Sequence, residues 1–197
     1  MEGQRIIEFN RIKICINNET YEPSDDTSLL MSIIDIKKGD KVIEIGSGSG
    51  ILSLEAFKMG GEVVAIDINP FAAISTLCTS RINSAWIEVI NCEMLTCIRD
   101  VKFDVAIFNP PYLPYEERKD WIEYSWSGGP TGSEELIRFF DHVKAKRIYT
   151  LYSSLTDYER VLSYAEKKGL TIRKKVEKNI GLETIFAVEF HDKSSSS

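Results

Sequence analysis

A repeated alternation of short apolar strands with predicted helices runs from Lys41 to Gly169, and it constrains the fold more than any other feature. Alternating strand–helix units pack as a parallel sheet with helices on both faces. The sequence therefore predicts an α/β protein. The five predicted strands of this part are K-V-I-E-I-G, E-V-V-A-I-D, A-W-I-E-V-I-N, F-D-V-A-I-F and R-I-Y-T-L-Y-S-S.

The two ends of the chain depart from this alternation. Two strands predicted near 170–178 and 182–191 have no helix between them, which indicates a hairpin with one antiparallel strand. Residues 1–20 are predicted to form a short N-terminal extension containing two small strands. Because no linker divides the 197 residues, we predict a single domain over 1–192, followed by a disordered tail at 193–197.

Charge and composition exclude several classes of protein. The formal net charge of −6 disfavours binding to nucleic acid, which needs a basic surface. No apolar run approaches the roughly 20 residues of a transmembrane helix, so no membrane association is expected. The four cysteines form no C-x-x-C pair and are expected to be reduced thiols of a cytoplasmic protein without a metal site.

A glycine-rich turn follows the first strand of the alternation, in E44-I-G-S-G-S-G50. Gly46, Gly48 and Gly50 would permit a tight turn and the close approach of a ligand to the backbone. The spacing differs from the G-x-G-x-x-G of dinucleotide folds, and Glu44 would repel a phosphate but attract an ammonium group. This pattern favours S-adenosylmethionine, which carries an ammonium and a sulfonium but no phosphate.

Two further strand ends carry candidate cofactor contacts. Asp67 ends the second strand, where a carboxylate can accept hydrogen bonds from both hydroxyls of a ribose. After the third strand, Glu93 could accept from an adenine amino group and Met94 could pack on the ring. A short helical piece is predicted from Met94 to Arg99.

The fourth strand ends abruptly in N-P-P-Y, residues 109–112. Prolines end strands, because they fix φ and remove N–H donors. The same rigidity would suit a clamp for a planar nitrogen. The Asn109 side-chain oxygen and the Pro110 carbonyl, held still by Pro111, would accept its N–H groups, and Tyr112 would stack on its plane.

These motifs resemble the class I S-adenosylmethionine-dependent methyltransferases over residues ~20–190. The resemblance implies a Rossmann-like sheet of seven mostly parallel strands in the order 3-2-1-4-5-7-6, with the last strand antiparallel. Y21-E-P-S-D-D-T-S-L-L30 and E123-Y-S-W-S-G-G129 resemble segments of the HemK-type release-factor methyltransferases, in their archaeal and eukaryotic branch. By this resemblance the cofactor contacts are Thr27, Glu44, Gly46, Asp67, Glu93, Met94 and Asn109.

The HemK resemblance implies methylation of the glutamine side chain in the Gly-Gly-Gln motif of a class I translation release factor. Trp126, in the loop 113–131 with Trp121 and Tyr124, would then line the substrate site. It also implies a heterodimer with a small zinc-binding activator protein through the predicted edge strand 85–91. Two alternatives remain at this stage, an adenine amino-methyltransferase acting on DNA or RNA and a non-catalytic cofactor-binding subunit.

Overall fold

The computed structural model describes residues 3–117 and 119–195, with the side chain of residue 195 outside the description. A small hairpin precedes a seven-stranded sheet. The hairpin strands are β1 (Arg5–Phe9) and β2 (Ile12–Ile16). The sheet strands are β3 (Lys41–Ile45), β4 (Glu62–Asp67), β5 (Ile87–Asn91), β6 (Phe103–Phe108), β7 (Ala145–Ser153), β8 (Leu170–Ile180) and β9 (Glu183–Asp192). The helices are α1 (Asp25–Met31), α2 (Ile51–Lys58), α3 (Pro70–Ile82), α4 (Trp121–Tyr124), α5 (Glu134–His142) and α6 (Tyr158–Lys167).

The strand order of the large sheet is β5-β4-β3-β6-β7-β9-β8. Numbered from β3 as the first strand, this is the order 3-2-1-4-5-7-6. The strands β3 to β7 pair in parallel, whereas β9 is antiparallel to both β7 and β8. The predicted Rossmann-like architecture, with its antiparallel last strand, is confirmed.

The sheet is buried on both faces, and this explains the apolar runs in its central strands. In β6, Val105 and Ile107 join the core beneath α1 and α2, whereas Ala106 and Phe108 join the core beneath α5 and α6. Successive strand residues point to opposite faces, so both sets must be apolar. The ring centroids of Phe108 and Phe139 lie 4.9 Å apart across the second core.

Three local predictions differ from the structure. The helix predicted over 94–99 is absent, and residues 94–97 form turns instead, because Met94 has a φ of 49° and the Thr96 hydroxyl donates to the Glu93 carbonyl at 2.8 Å. The edge strand begins at Ile87, not at residue 85. The predicted disordered tail begins with a 3-10 turn over Lys193–Ser195, and residues 196 and 197 lie outside the described residues.

The prediction that all four cysteines are reduced thiols is wrong for two of them. Cys15 and Cys78 form a disulfide with a Cα–Cα distance of 5.8 Å, across a separation of 63 residues. The pairing follows from the packing of β2 on α3, where the Cys15 N–H donates to Thr79 Oγ1 at 2.8 Å. Cys92 and Cys97 are free thiols.

In the described part of the chain, no helix combines the length and the apolar character needed to cross a membrane. The same residues include no cluster of three or more side chains of the types that bind metal ions.

Candidate active site

A cleft of about 770 Å³ opens at the carboxyl ends of β3, β4 and β6. Ligands of open α/β sheets bind at this edge, where the strand order reverses between the first strand and its neighbours. The cleft brings together nearly all the residues singled out from the sequence. They are Thr27, Glu44, Gly46, Gly48, Asp67, Glu93, Met94, Asn109, Pro110, Pro111, Tyr112 and Trp126.

Gly50 was also expected to contact the cofactor, and this stays a prediction, since Gly50 is not among the residues that line the cleft. Gly46 and Gly48 line the cleft with φ values of 65° and 54°, in the left-handed region that favours glycine. Gly50 instead precedes α2 with a φ of 78°. A Cβ there would lie 3.0 Å from the Cα of Thr76, so Gly50 is required by the packing of α2 against α3.

Glu44 is a carboxyl group buried at the end of β3. Its exposed fraction is 2%, and the Ser53 hydroxyl donates a hydrogen bond to Oε2. Burial raises the pKa of Glu44 from 4.5 to about 8, since desolvation disfavours the charged form. A cation placed in the cleft beside Glu44 would restore its charge.

Asp67 shapes the glycine turn as well as lining the cleft. Its Oδ2 accepts from the Gly48 N–H at 2.8 Å, and its Oδ1 accepts from the Asn69 N–H at 2.9 Å. Burial raises the pKa of Asp67 to about 6, and these two backbone hydrogen bonds oppose the rise. The carboxylate therefore ties the exit of β4 to the turn after β3.

Glu93 lines the cleft, but its carboxylate already has a partner. Arg138 of α5 donates to Glu93 Oε1 at 2.6 Å and also pairs with Glu135 at 3.1 Å. Both Glu93 and Arg138 are exposed, so this ion pair is worth little in free energy and can exchange. Sequence reasoning missed Arg138 and Glu135, because nothing in the pattern of α5 relates this helix to the loop after β5.

The N-P-P-Y segment continues from β6 directly into the wall of the cleft. Pro110 is buried, and Asn109 and Tyr112 are half-buried. The Asn109 Nδ2 group donates to Asp26 Oδ2 at 3.4 Å and lies 3.5 Å from Thr27 Oγ1. The Thr156 hydroxyl donates to the Tyr112 carbonyl at 3.0 Å. The segment is thus held at both ends, by α1 and by the loop after β7.

The S-W-S-G-G segment packs against the chain that leaves N-P-P-Y. The Leu113 N–H donates to the Trp126 carbonyl at 3.0 Å, and the Gly128 N–H donates to the Leu113 carbonyl at 2.8 Å. A Cβ on Gly128 would lie 2.7 Å from the Pro111 carbonyl oxygen. The two motifs are therefore adjacent in space, and glycine is required where the backbones meet.

Gly132 offers a direct test of this packing, because its φ is 72° and an added Cβ would lie 2.3 Å from the Tyr112 carbonyl oxygen. We expect Gly132→Ala to lower the free energy of unfolding by about 2–5 kcal/mol and to reduce activity, since it displaces Tyr112. Gly181→Ala is the matched control, with a φ of 62° and no atom within 4 Å of the added Cβ. Urea unfolding measures both, and an equal loss in the two variants would contradict a steric role for Gly132.

Asp26 and Tyr21 are cleft residues that the sequence reasoning did not select. Asp26 is 3% exposed and accepts from the Tyr21 hydroxyl, the Ser24 hydroxyl and the Thr27 N–H. Burial, followed by the charge of Asp26, raises the pKa of the Tyr112 hydroxyl above its usual range. In the sequence, the signal for these residues was the Y-E-P-S-D-D-T segment. The segment alone does not show which of its two neighbouring aspartates faces the cleft.

The fold and the cleft are those of an α/β protein with a ligand site at the glycine turn after its first sheet strand. Residues 22–123 match the family described as the methyltransferase small domain, and the chain belongs to that family. Its cofactor is S-adenosylmethionine, and the buried Glu44, with no cation bonded to it in the described residues, fits an ammonium group.

Individual relatives resemble the chain over nearly its whole length. A protein of Methanocaldococcus jannaschii, provisionally named a protein N5-glutamine methyltransferase, is 31% identical over 93% of this chain and 97% of its own. The human methyltransferase HEMK2 is 30% identical over 88% of this chain and 90% of its own. Among solved structures, the E. cuniculi Mtq2–Trm112 complex, responsible for methylation of the eRF1 translation termination factor, superposes with a TM-score of 0.71. It is 27% identical and covers 89% of this chain and 99% of that chain.

Proposed function

We propose that this methyltransferase transfers a methyl group to the side-chain amide of the glutamine in the Gly-Gly-Gln motif of a class I translation release factor. The observation that carries the proposal is the placement of Asn109, Pro110 and Tyr112 in one cleft with the glycine turn of the cofactor site. The names and the nearly full-length similarity of the relatives support it.

The cofactor half of the cleft has groups suited to each part of S-adenosylmethionine. Glu44 would bind the ammonium group, and Asp67 would accept from the ribose hydroxyls. The Gly46 and Gly48 backbone allows close approach of the cofactor, and Met94 would pack on the adenine. Thr27 and Glu93 complete the proposed set. Glu93 would have to leave Arg138 to accept from the adenine amino group.

The bound cofactor supplies a methyl group activated by its sulfonium. An amide nitrogen is a weak nucleophile, because its lone pair is delocalised. The Asn109 side-chain oxygen and the Pro110 carbonyl would each accept one of its N–H groups, and Tyr112 would stack on the amide plane. These acceptors bind more strongly as the nitrogen gains positive charge, which lowers the barrier to transfer. The displaced amide proton leaves to water, so no strong base is needed.

The wall of the substrate half of the cleft includes Trp121, Tyr124 and Trp126, with Asp26 behind Asn109. Aromatic rings can stack on a base as well as on an amide, so the charge of the chain is what favours a peptide. A nucleic-acid enzyme neutralises phosphates with lysine and arginine around its site, whereas this chain carries a net charge of −6. Among the described residues, Arg138 is the one lysine or arginine that lines the cleft, and it is paired with Glu93 and Glu135. The basic run of Arg173, Lys174 and Lys175 lies on β8, at an edge of the sheet.

A methyl-transfer assay with radiolabelled cofactor tests the substrate directly. Release factor, a Gly-Gly-Gln peptide, DNA and RNA are offered side by side, and label is expected on the release factor and the peptide. A release factor with glutamine replaced by alanine is the control and should take no label. Label on nucleic acid with none on the peptide would reject the proposal in favour of an adenine amino-methyltransferase.

The two edges of the sheet differ in a way that indicates where a partner binds. The β8 edge has a bulge after Ile172 and carries Arg173, Lys174 and Lys175, features that discourage pairing with another strand. The β5 edge, I-E-V-I-N, has Glu88 as its one charge, and the neighbouring Trp86 is 80% exposed. We propose that β5 pairs with a small zinc-binding activator protein to form a heterodimer.

Co-expression with such an activator, followed by size-exclusion chromatography, tests this interface. We expect Trp86→Glu to weaken the complex by at least about tenfold, because it places a charge in an apolar contact. Ile172→Glu, at the opposite edge and 41% exposed, is the control and should leave the complex intact. Separate elution of the wild-type chain and the activator would contradict the proposal.

We propose a cytoplasmic location, since release factors act where translation occurs. The Cys15–Cys78 disulfide is uncommon in that reducing compartment outside hyperthermophiles. Cells are denatured directly in a reagent that blocks free thiols, and the blocked cysteines of the protein are then counted. This count gives the state of the disulfide in the cell. Two blocked thiols are expected if the bond forms in the cell, and four if it does not.

A further inference from the structure

The side chain of Asp26 occupies an unusual position for a carboxylate. It is 3% exposed and lies in the first turn of α1, against the end of β6. Among residues 3–117 and 119–195, no lysine or arginine forms an ion pair with it, although its neighbour Asp25 pairs with Lys178 at 3.0 Å. Burying a carboxylate without a cation costs free energy unless hydrogen bonds compensate.

All the hydrogen bonds of Asp26 come from groups that donate to it. The Ser24 hydroxyl donates to Oδ1 at 2.8 Å, the Thr27 N–H at 2.6 Å and the Tyr21 hydroxyl at 3.3 Å. These donors fix the carboxylate. Its Oδ2, which the Tyr21 hydroxyl also reaches at 3.3 Å, faces Asn109, whose Nδ2 lies 3.4 Å away. The carboxylate is therefore held in place by groups other than Asn109.

An asparagine side chain can present either its oxygen or its nitrogen to a ligand, since rotation by a half turn exchanges them. A carboxylate has no proton to donate. It therefore accepts a hydrogen bond from Asn109 Nδ2 and would repel Asn109 Oδ1 if the amide were turned the other way. With Nδ2 directed at Asp26, Oδ1, the other terminal atom of the planar amide, is left to accept from a different partner. A substrate N–H group needs Oδ1 as its acceptor and would be repelled by Nδ2.

We propose that Asp26 is a positioning residue that sets which atom of Asn109 meets the substrate nitrogen. Its negative charge also polarises the Asn109 amide and makes Oδ1 a stronger acceptor. The inference rests on the proposed role of Asn109 in binding an amino or amide nitrogen. It holds for any such substrate, whether glutamine or a base.

The substitution Asp26→Asn tests this role, because it keeps the size of the side chain but lets either atom of Asn109 bond to it. We expect kcat to fall by about 10–100-fold and the cofactor Kd to change by less than about twofold. Asp25→Asn is the matched control, one residue away and exposed, and should leave kcat within about twofold of wild type. A loss of cofactor affinity equal to the loss of kcat would overturn the proposal.

A double-mutant cycle separates positioning from a structural role. In an Asn109→Ala background there is no amide left to orient, so adding Asp26→Asn should reduce kcat by less than about twofold. Additive losses would mean that Asp26 acts elsewhere. If Asp26→Asn unfolds the chain, Ser24→Ala removes one donor to the carboxylate and should lower kcat by about 2–5-fold without changing the cofactor Kd. An unchanged kcat in that variant would count against the proposal.

A spectroscopic measurement keeps the inference distinct from the substrate assignment. The side-chain NH₂ resonances of Asn109, assigned by their loss in Asn109→Ala, should shift and exchange faster in Asp26→Asn but not in Asp25→Asn. Unchanged resonances would overturn the inference. Methylation of a base instead of the peptide would overturn only the proposed substrate.

Discussion

Replacing Asn109 by alanine is expected to lower kcat by about 10²–10³-fold, the usual cost of removing a preorganised acceptor at the reacting group. The cofactor Kd should rise by less than about threefold, because Glu44, Asp67 and the glycine turn make the proposed cofactor contacts. Single-turnover kinetics with saturating cofactor and release factor measure the first value, and equilibrium titration with the cofactor measures the second.

The control for this experiment is an asparagine outside the cleft. Asn179→Ala alters a residue of the β8–β9 hairpin whose side chain accepts from Thr184 at 2.8 Å. Its kcat should remain within about twofold of wild type, as is usual for surface substitutions. Equal losses of kcat and cofactor affinity in Asn109→Ala would show that Asn109 mainly builds the cofactor site.

The second large effect concerns the pH dependence of cofactor binding. In the cofactor-free protein, burial raises the pKa of Glu44 to about 8, so the carboxyl is protonated at neutral pH. An ammonium group binds the ionised form, and binding therefore releases a proton. Cofactor affinity should increase with pH, by up to about tenfold per unit, until the pKa of Glu44 is passed.

Calorimetric titration between pH 6.5 and pH 8.5, in buffers of different ionisation enthalpy, measures both the affinity and the protons released. This window lies above the pKa of Asp67, which is about 6, so that residue contributes little to the slope. Glu44→Gln should bind about 10²-fold more weakly at pH 8 and show no pH slope. Glu55→Gln, which alters a residue paired with Lys58 on α2, is the control and should retain the slope. A slope that survives in Glu44→Gln would assign the proton to another group.

The same pKa shift predicts the stability of the cofactor-free protein. Folded Glu44 retains its proton up to about pH 8, whereas the unfolded chain releases it near 4.5. Between these values the folded state binds more protons, so the contribution of Glu44 to the free energy of unfolding falls as pH rises and is fully lost above about pH 8. Thermal unfolding of Glu44→Gln should lack this part of the pH dependence.

Much of the fold was predictable because its signals are local. A parallel strand covered on both faces must be apolar along its whole length, as in V105-A-I-F108, and such runs are visible in the sequence. The turn with Gly46 and Gly48, and the rigid N-P-P-Y, are visible for the same reason. The sheet order, however, came from resemblance to a family and was then confirmed by the strand pairing.

The prediction for the cysteines failed because their pairing depends on long-range packing. The disulfide joins cysteines 63 residues apart, and no local pattern relates β2 to α3. Long-range packing also acts on Gly50, which belongs to the same glycine run as Gly46 but is approached by Thr76. Its predicted contact with the cofactor stays a prediction. The helix predicted after β5 failed for a local reason. The left-handed backbone of Met94 and the hydrogen bond from the Thr96 hydroxyl to the Glu93 carbonyl favour turns.

The sequence by itself determined the strand–helix alternation, the glycine turn and the chemical character of N-P-P-Y, because each depends on residues close together in the chain. Only the tertiary structure decided that Asp26, and not Asp25, lies behind Asn109, and that Glu93 is paired with Arg138. These depend on which faces of separate elements meet. Which faces come into contact is decided by the burial of both hydrophobic cores over the whole sheet. No single segment of the sequence contains that information.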